Sequence, residues 1–132
     1  MNSPPTFVYL AFAFSNDPTG NTKKAREMTI TLMKKHPDWF VFCPHYAIDA
    51  MLDGIIDWTG MEEKDFGEWR RTQAGLMAAG FLSRCDIMVL GCDPNYGKSS
   101  GVTWENIIAK LLNISWRRNN PIKIITYEEA MK

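Results

Sequence analysis

The sequence predicts a three-layer α/β domain in which a parallel sheet lies between two layers of helices. Short apolar runs alternate along the chain with longer segments of helical periodicity. The first run, residues 7–14, is apolar almost throughout, as expected of a central strand covered on both faces. Strands and helices that alternate in this way form parallel sheets with right-handed crossovers. A length of 132 residues fits one such domain.

The first half of the chain predicts two strands and one helix. After the strand at 7–14, residues 15–20 form a loop, because Asn-Asp-Pro-Thr-Gly cannot continue a strand. Asn21 or Thr22 then caps a helix that extends to about Lys35. The buried side of this helix is expected to hold Ala25, Met28, Leu32 and Met33. A second buried strand follows at 39–43 and stops at Pro44.

The second half predicts two more strands and two more helices. Residues 45–60 are irregular or weakly helical, and residues 62–83 form a long helical stretch in which Gly75 and Gly80 weaken the helix or mark close packing. A strand at 86–91 leads to a helix at 101–115. Pro121 introduces the last strand, 122–126, and a short tail.

Composition and charge exclude several classes of function. Fifteen basic and fifteen acidic residues balance, so nothing favours bulk attraction to nucleic acid or to a membrane. The apolar runs are too short to span a bilayer, and the first residues do not resemble a secretion signal. Three cysteines without CxxC spacing predict free thiols in a reducing cytoplasm. Two histidines without ligand-spaced partners predict neither a metal site nor a metal cofactor.

The candidate site follows the strand at 86–91. A loop rich in Gly, Asp, Asn and Ser ends at Ser99, Ser100 and Gly101, and the next helix carries Glu105, which we expect in its first turn. Ligands of parallel sheets bind at the carboxyl ends of the strands, where helix N-termini also accept anions. The pattern predicts a phosphorylated or polyhydroxylated small molecule with Glu105 at the reacting centre. The alternative is that Glu105 only stabilises the helix dipole.

Other polar residues leave two interpretations open. Tyr9 in the first strand either turns its hydroxyl to solvent or orients the carboxylate. His45 either binds a phosphate or base, or is an ordinary loop residue. Asp49, Asp53 and Asp57 share one helical face that is expected to be solvated. The Gly97-Lys98-Ser99 sequence lacks the earlier glycine of a phosphate-binding P-loop, which argues against an ATPase.

Taken together, these residues resemble the nucleoside 2-deoxyribosyltransferase superfamily, including its nucleotide N-hydrolase branch. The likeness spans residues 7–126 and is carried by an ordered set of motifs. They are Val-Tyr-Leu-Ala at 8–11, Pro44-His45, Cys-Asp-Ile-Met-Val-Leu-Gly at 85–91, and Ser-x-Gly-Val-x-x-Glu at 99–105. The resemblance implies a Rossmann- or flavodoxin-like fold without a cofactor, and a homodimer or larger homo-oligomer, with Trp104 and Trp116 as candidate interface residues.

The resemblance also implies roles for individual residues. Glu105 matches the nucleophile that displaces the base from C1′, and Tyr9 matches the tyrosine that positions it. Ser99 matches the serine that contacts the 5′-phosphate of nucleotides. Ser100, Gly101, His45 and Asp86 are expected to complete the substrate- and phosphate-binding set. The acid that the family carries on the preceding helix has no counterpart in residues 74–81.

These implications give one leading function and two alternatives. The leading expectation is cleavage or transfer at the N-glycosidic bond of a nucleoside 5′-monophosphate or nucleoside. The first alternative is a nucleotide-binding module with little or no catalysis, which the missing helix acid favours. The second is an interaction protein, for which the five tryptophans and eight methionines are the only support.

Overall fold

A four-stranded parallel sheet forms the centre of the molecule, as the sequence predicted. The computed structural model describes residues 5–12, 18–44, 75–92 and 100–132. Its strands lie in the order β2-β1-β3-β4. Their bounds are Thr6–Ala11 for β1, Trp39–Phe42 for β2, Ile87–Leu90 for β3 and Lys123–Thr126 for β4.

Helices lie on both faces of this sheet. The described helices are α1 at Pro18–Lys35, α2 at 75–82, α3 at Ser100–Ser115 and the short α4 at Tyr127–Ala130. α1 packs on one face through Leu32, and α2 and α3 pack on the other face through Ala78, Val102 and Ala109. This is the three-layer α/β arrangement that the alternating pattern predicted. Within these ranges, none of the helices is long and apolar enough to cross a bilayer.

β1 is central because both of its faces are covered. Val8 and Leu10 pack against the α1 side, whereas Tyr9 and Ala11 pack against the side of α2 and α3. All four side chains are at most 1% exposed. A strand buried on both faces needs no polar alternation, which explains the continuous apolar run in the sequence.

α1 begins earlier than predicted. Its first residue is Pro18, so Asn21 and Thr22 lie inside the helix and do not cap it. Proline suits a first helical position, because its fixed φ matches the helix and its missing N–H needs no partner there. The predicted buried side is right for Ala25 and Leu32 and wrong for Met33, whose side chain is 40% exposed.

The direction in which successive strands are added to the sheet reverses between β1 and β3. The chain leaves β1 toward β2 over one face and later passes toward β3 and β4 over the other face, so the order of strands reverses at β1 and β3. In sheets of this kind ligands bind outside the carboxyl ends of the strands at such a reversal. Gly91 lies there, and its N–H donates to the carbonyl of Ala11 at 2.8 Å.

The C-terminus forms a short helix where the sequence predicted only a tail. Thr126 caps α4: its hydroxyl accepts from the Glu129 N–H at 3.1 Å, and the Glu129 carboxylate accepts from the Thr126 N–H at 3.2 Å. These hydrogen bonds lower the pKa of Glu129. The ring Nε2 of His36 hydrogen-bonds to the Ala130 carbonyl at 2.6 Å, which joins α4 to the end of α1.

The two glycines of α2 have different surroundings. A Cβ on Gly75 would lie 3.3 Å from Nε1 of Trp104, so this glycine marks a close approach of α2 and α3. Among the described residues, a Cβ on Gly80 would meet only the flexible end of Arg84, at 3.9 Å. Close packing, one of the two alternatives for these glycines, therefore holds for Gly75 only.

Candidate functional site

The side chains of a tyrosine and a glutamate meet on the face of the sheet that α2 and α3 cover. Tyr9 lies in β1 and is 1% exposed. Glu105 lies in α3, and its carboxyl group hydrogen-bonds to the Tyr9 hydroxyl. Because α3 begins at Ser100, Glu105 falls in its second turn and not in the first turn that the sequence predicted.

The spacing of α3 explains why Glu105 faces the sheet. Val102 and Ala109, three residues before and four residues after Glu105, are both fully buried. Positions with this spacing share one face of a helix, so the helix that packs through these residues carries the glutamate inward as well. The core cluster around Tyr9 contains both Val102 and Ala109.

One oxygen of the Glu105 carboxyl group has no hydrogen-bond partner among the described residues. Its Oε2 is buried and accepts no hydrogen bond from the described residues. A buried carboxyl oxygen without a partner is costly, since desolvation is not compensated there. The carboxyl group of Glu105 therefore has one oxygen that is bound by the Tyr9 hydroxyl and one buried oxygen without a hydrogen-bond partner among the described residues.

Burial controls the ionisation of this pair. Desolvation raises the pKa of Glu105 from 4.5 to about 7, and the hydrogen bond from Tyr9 opposes the rise. Desolvation, followed by the nearby charge of Glu105, raises the pKa of Tyr9 well above its ordinary value. Tyr9 thus stays protonated and donates its hydrogen, whereas Glu105 is present in both protonation states near neutral pH.

Two neighbours of Glu105 were not predicted as polar or aromatic parts of the site. The Oδ1 atom of Asn106 is also buried without a partner in the described part of the chain. Trp104 is 55% exposed and leans on Gly75 of α2. No local pattern marks Asn106 as part of the site, whereas the position of Trp104 beside the candidate nucleophile is a signal that it is more than an interface residue.

α2 and α3 lie side by side on the face of the sheet that holds the pair. Ala78 and Leu82 of α2 belong to the same core cluster as Tyr9, so this helix lies beside α3 on the same face. Phe81 of α2 stacks on Phe42 at the end of β2, with ring centroids 4.2 Å apart. Tyr9 lies buried on this face, whereas Trp104 is exposed where α3 approaches Gly75 of α2.

The remaining predicted site residues separate into three groups. Ser100 and Gly101 are the first two residues of α3, which places their backbone after the carboxyl end of β3. Ser99 and His45 lie outside the described residues, as do Asp49, Asp53 and Asp57. Asp86 is described and lies elsewhere.

Asp86 lies at the opposite edge of the sheet from the loops that follow β1 and β3. It directly precedes β3, and its Oδ2 accepts from the N–H of Phe7 near the start of β1 at 2.9 Å. The four residues of β3 separate it from the carboxyl edge by about 13 Å. The structure brings Tyr9 and Glu105 together and does not bring Asp86 to them, so we leave Asp86 out of the proposed site.

The three cysteines all lie within the described residues and form no disulfide bond. Burial raises the pKa of Cys85 to about 11, and Asp86 adds to this rise while Arg117 opposes it. A thiol with so high a pKa is a poor nucleophile at neutral pH. Within the described ranges, no three metal-ligating side chains come together.

The geometry defines a carboxyl group suited to covalent or acid–base chemistry. One of its oxygens is held by a tyrosine, the other has no hydrogen-bond partner among the described residues, and its pKa lies near neutral pH, which is where a general acid or base works best. No protein-family model matches this chain, and neither a curated protein nor a solved structure matches it.

Proposed function

We propose that this chain cleaves or exchanges the N-glycosidic bond of a nucleoside 5′-monophosphate or a nucleoside, with Glu105 as the nucleophile. The observation that supports this proposal is the buried pair: Tyr9 holds the carboxyl group, and Oε2 has no partner in the described residues. Groups whose burial costs stability are typical of functional sites. Tyr9 and Glu105 are also the two positions at which the resemblance to nucleoside 2-deoxyribosyltransferases implies catalysis.

In the proposed first step, Oε2 of the ionised Glu105 attacks C1′ of the sugar. A glycosyl ester forms while the C1′–N bond breaks, and the electron pair of that bond leaves with the base, which takes up a proton from water. Water or a second base then attacks C1′, which releases the Glu105 carboxylate. Tyr9 acts as a positioning residue, because its hydrogen bond fixes one oxygen and leaves Oε2 free to attack.

Substrate binding is proposed at the first turn of α3. That turn begins at Ser100 and Gly101, and its backbone N–H groups suit a 5′-phosphate or sugar hydroxyls. Ser99 and His45, outside the described residues, are proposed to add a hydroxyl and an imidazole to the same group. We propose no cofactor, because displacement at C1′ by a carboxylate needs none.

The test is base release by variants of Glu105. Purified protein is incubated with a panel of nucleosides and nucleoside 5′-monophosphates, and free base is quantified by chromatography. Glu105→Gln keeps the size and hydrogen bonding of the side chain but cannot form the ester, so release should fall at least 10²-fold. Glu128→Gln, at an exposed glutamate of α4, is the matched control and should keep full activity.

The outcome decides the mechanism. Trapping of a glycosyl group on Glu105, detected by mass spectrometry of the intact protein, would support the covalent step. Equal base release by the wild-type protein and Glu105→Gln would exclude Glu105 as the nucleophile.

A second candidate function is a nucleotide-binding module that performs no chemistry. The observation that favours it lies in α2, whose described residues 75–82 include no carboxyl group able to protonate a leaving base. Under this alternative no base is released from any substrate, yet a nucleotide raises the melting temperature of the protein. A thermal-shift panel with the same ligands separates this outcome from an interaction protein, which none of them would stabilise.

A further inference from the structure

We propose that the indole of Trp104 is the stacking surface for the base of the substrate, and that Gly75 provides the space in which the indole lies. This inference rests on the proposed function of Glu105 and names the part of the substrate that Trp104 contacts. The ligand would then carry a flat aromatic base as its leaving group, which a phosphorylated sugar without a base lacks.

The first observation is the position of Trp104 relative to Glu105. Successive residues of an α-helix point about 100° apart. Glu105 faces the sheet, and Trp104 therefore lies one step around the helix, toward α2 and the solvent. Its contact with Gly75 of α2 shows that direction.

The second observation is the exposure of the indole. Trp104 is 55% exposed although it contacts a second helix. An aromatic ring that is supported on one side and open on the other offers a flat surface at low entropic cost. Stacking of a base on such a ring tolerates any base, because every base has a π-face.

The third observation is the absence of a side chain at position 75. A Cβ at this position would come within 3.3 Å of Nε1 of Trp104, closer than an ordinary van der Waals contact. Any larger residue would push the indole out of its present position. Glycine costs helix stability relative to alanine, and the close approach of the indole accounts for its presence.

The test measures ligand affinity in the Glu105→Gln background, where the ligand is not consumed. Calorimetric titrations use adenosine 5′-monophosphate, cytidine 5′-monophosphate and ribose 5-phosphate, which has no base. Adding Trp104→Ala should raise the Kd of both nucleotides about tenfold or more and leave the Kd of ribose 5-phosphate unchanged. Trp104→Phe should retain most of the nucleotide affinity, because it keeps an aromatic face.

Two further variants control for the fold and for the position of the indole. Trp116→Ala removes an 83%-exposed tryptophan beyond the other end of α3 and should change no affinity. Gly75→Leu keeps tryptophan at position 104 but displaces its indole ring. It should raise the Kd of both nucleotides and leave the Kd of ribose 5-phosphate unchanged. Circular dichroism of each variant confirms that it is folded.

The outcomes separate this inference from the function on which it rests. Base release that persists in Trp104→Ala with an unchanged KM overturns the stacking role and leaves the chemistry of Glu105 standing. Stacking that depends on Trp104, without base release by the wild-type protein, overturns the chemistry and supports the aromatic subsite. Equal losses for nucleotides and ribose 5-phosphate, or no binding of either nucleotide, overturn the inference.

Discussion

Glu105 concentrates the unusual physical chemistry of this molecule in one side chain. A carboxyl group in a core of Val102, Ala109 and Tyr9 would ordinarily be replaced by an apolar residue, because its charge is poorly solvated there. The hydrogen bond from Tyr9 compensates part of that cost, and Oε2 remains without a partner in the described residues. Such a residue lowers stability, so its presence at this position argues for a function.

Stability should therefore depend on pH through Glu105. Its pKa is about 7 in the folded protein and 4.5 ordinarily, so the folded state binds more protons between these values. Stability must then fall as pH rises from 4.5 to 7. Glu105→Gln removes this dependence and should be the more stable protein above pH 7, by up to about 3 kcal/mol, since one pKa unit corresponds to about 1.4 kcal/mol.

Urea unfolding of both proteins at several pH values between 4 and 8.5 measures the difference directly, as contributions of all other groups cancel. Below pH 4.5 the protonated glutamic acid and the glutamine should give similar stabilities. A difference that does not change with pH would show that Glu105 is well solvated in the folded protein.

At the scale of elements, glycines decide how closely the strands and helices approach at the carboxyl edge. A Cβ on Gly91 would lie 2.9 Å from the ring of Phe12 and 3.1 Å from the carbonyl oxygen of Ala11. The carbonyl belongs to the backbone of β1 and cannot move without disturbing the sheet. Gly80 has no such neighbour, because only the end of Arg84 lies near its Cβ position.

Alanine at these two glycines should therefore have opposite effects. Gly91→Ala should destabilise the fold by about 1–3 kcal/mol through overpacking. Gly80→Ala should stabilise it by about 0.5–1 kcal/mol, because alanine suits a helix interior better than glycine. Thermal or urea unfolding of the two single variants provides the comparison. Destabilisation of similar size in both would mean that backbone freedom, and not the space beside β1, explains Gly91.

At the scale of the whole molecule, α3 presents an apolar row that no described element covers. Ile107, Leu111 and Ile114 are 42%, 58% and 66% exposed, and their spacing places them on one face of the helix. Monomeric proteins seldom expose contiguous apolar patches of this kind. Since a second copy offers the same row and two-fold pairing needs only a self-complementary surface, we propose a homodimer through Leu111 and Ile114 in the second half of α3, which leaves Trp104 near the start of the helix uncovered.

A charge in this row should dissociate the dimer. Leu111→Glu should convert the protein to a monomer in sedimentation equilibrium, because the pairing would bury the carboxylate without a partner. Ile30→Glu is the matched control: this α1 side chain is 42% exposed and lies away from α3, so the association should be unchanged. A wild-type protein that sediments as a monomer at all concentrations would contradict the proposed dimer.

The sequence by itself determined the order of strands and helices and the parallel sheet. An apolar run such as residues 7–14 predicts a strand, because a strand that is covered on both faces needs no alternating polar residues. It also identified Tyr9 and Glu105, because a hydroxyl in an apolar strand and an acid near a helix start are local signals. The α4 helix escaped prediction because one turn has too little periodicity to be recognised.

Only the tertiary structure decided which of these groups meet. Asp86 is only two residues before Met88, which pairs with Tyr9 in the sheet. It nevertheless lies at the amino edge of the sheet, because it precedes β3 and the strand runs away from it toward the carboxyl edge. Met33 is exposed although its helical position fits the buried face, since the contact surface of α1 is narrower than its apolar side. The burial of Glu105, and with it a pKa near neutral pH, arises from packing of α3 on β1, which no local pattern specifies.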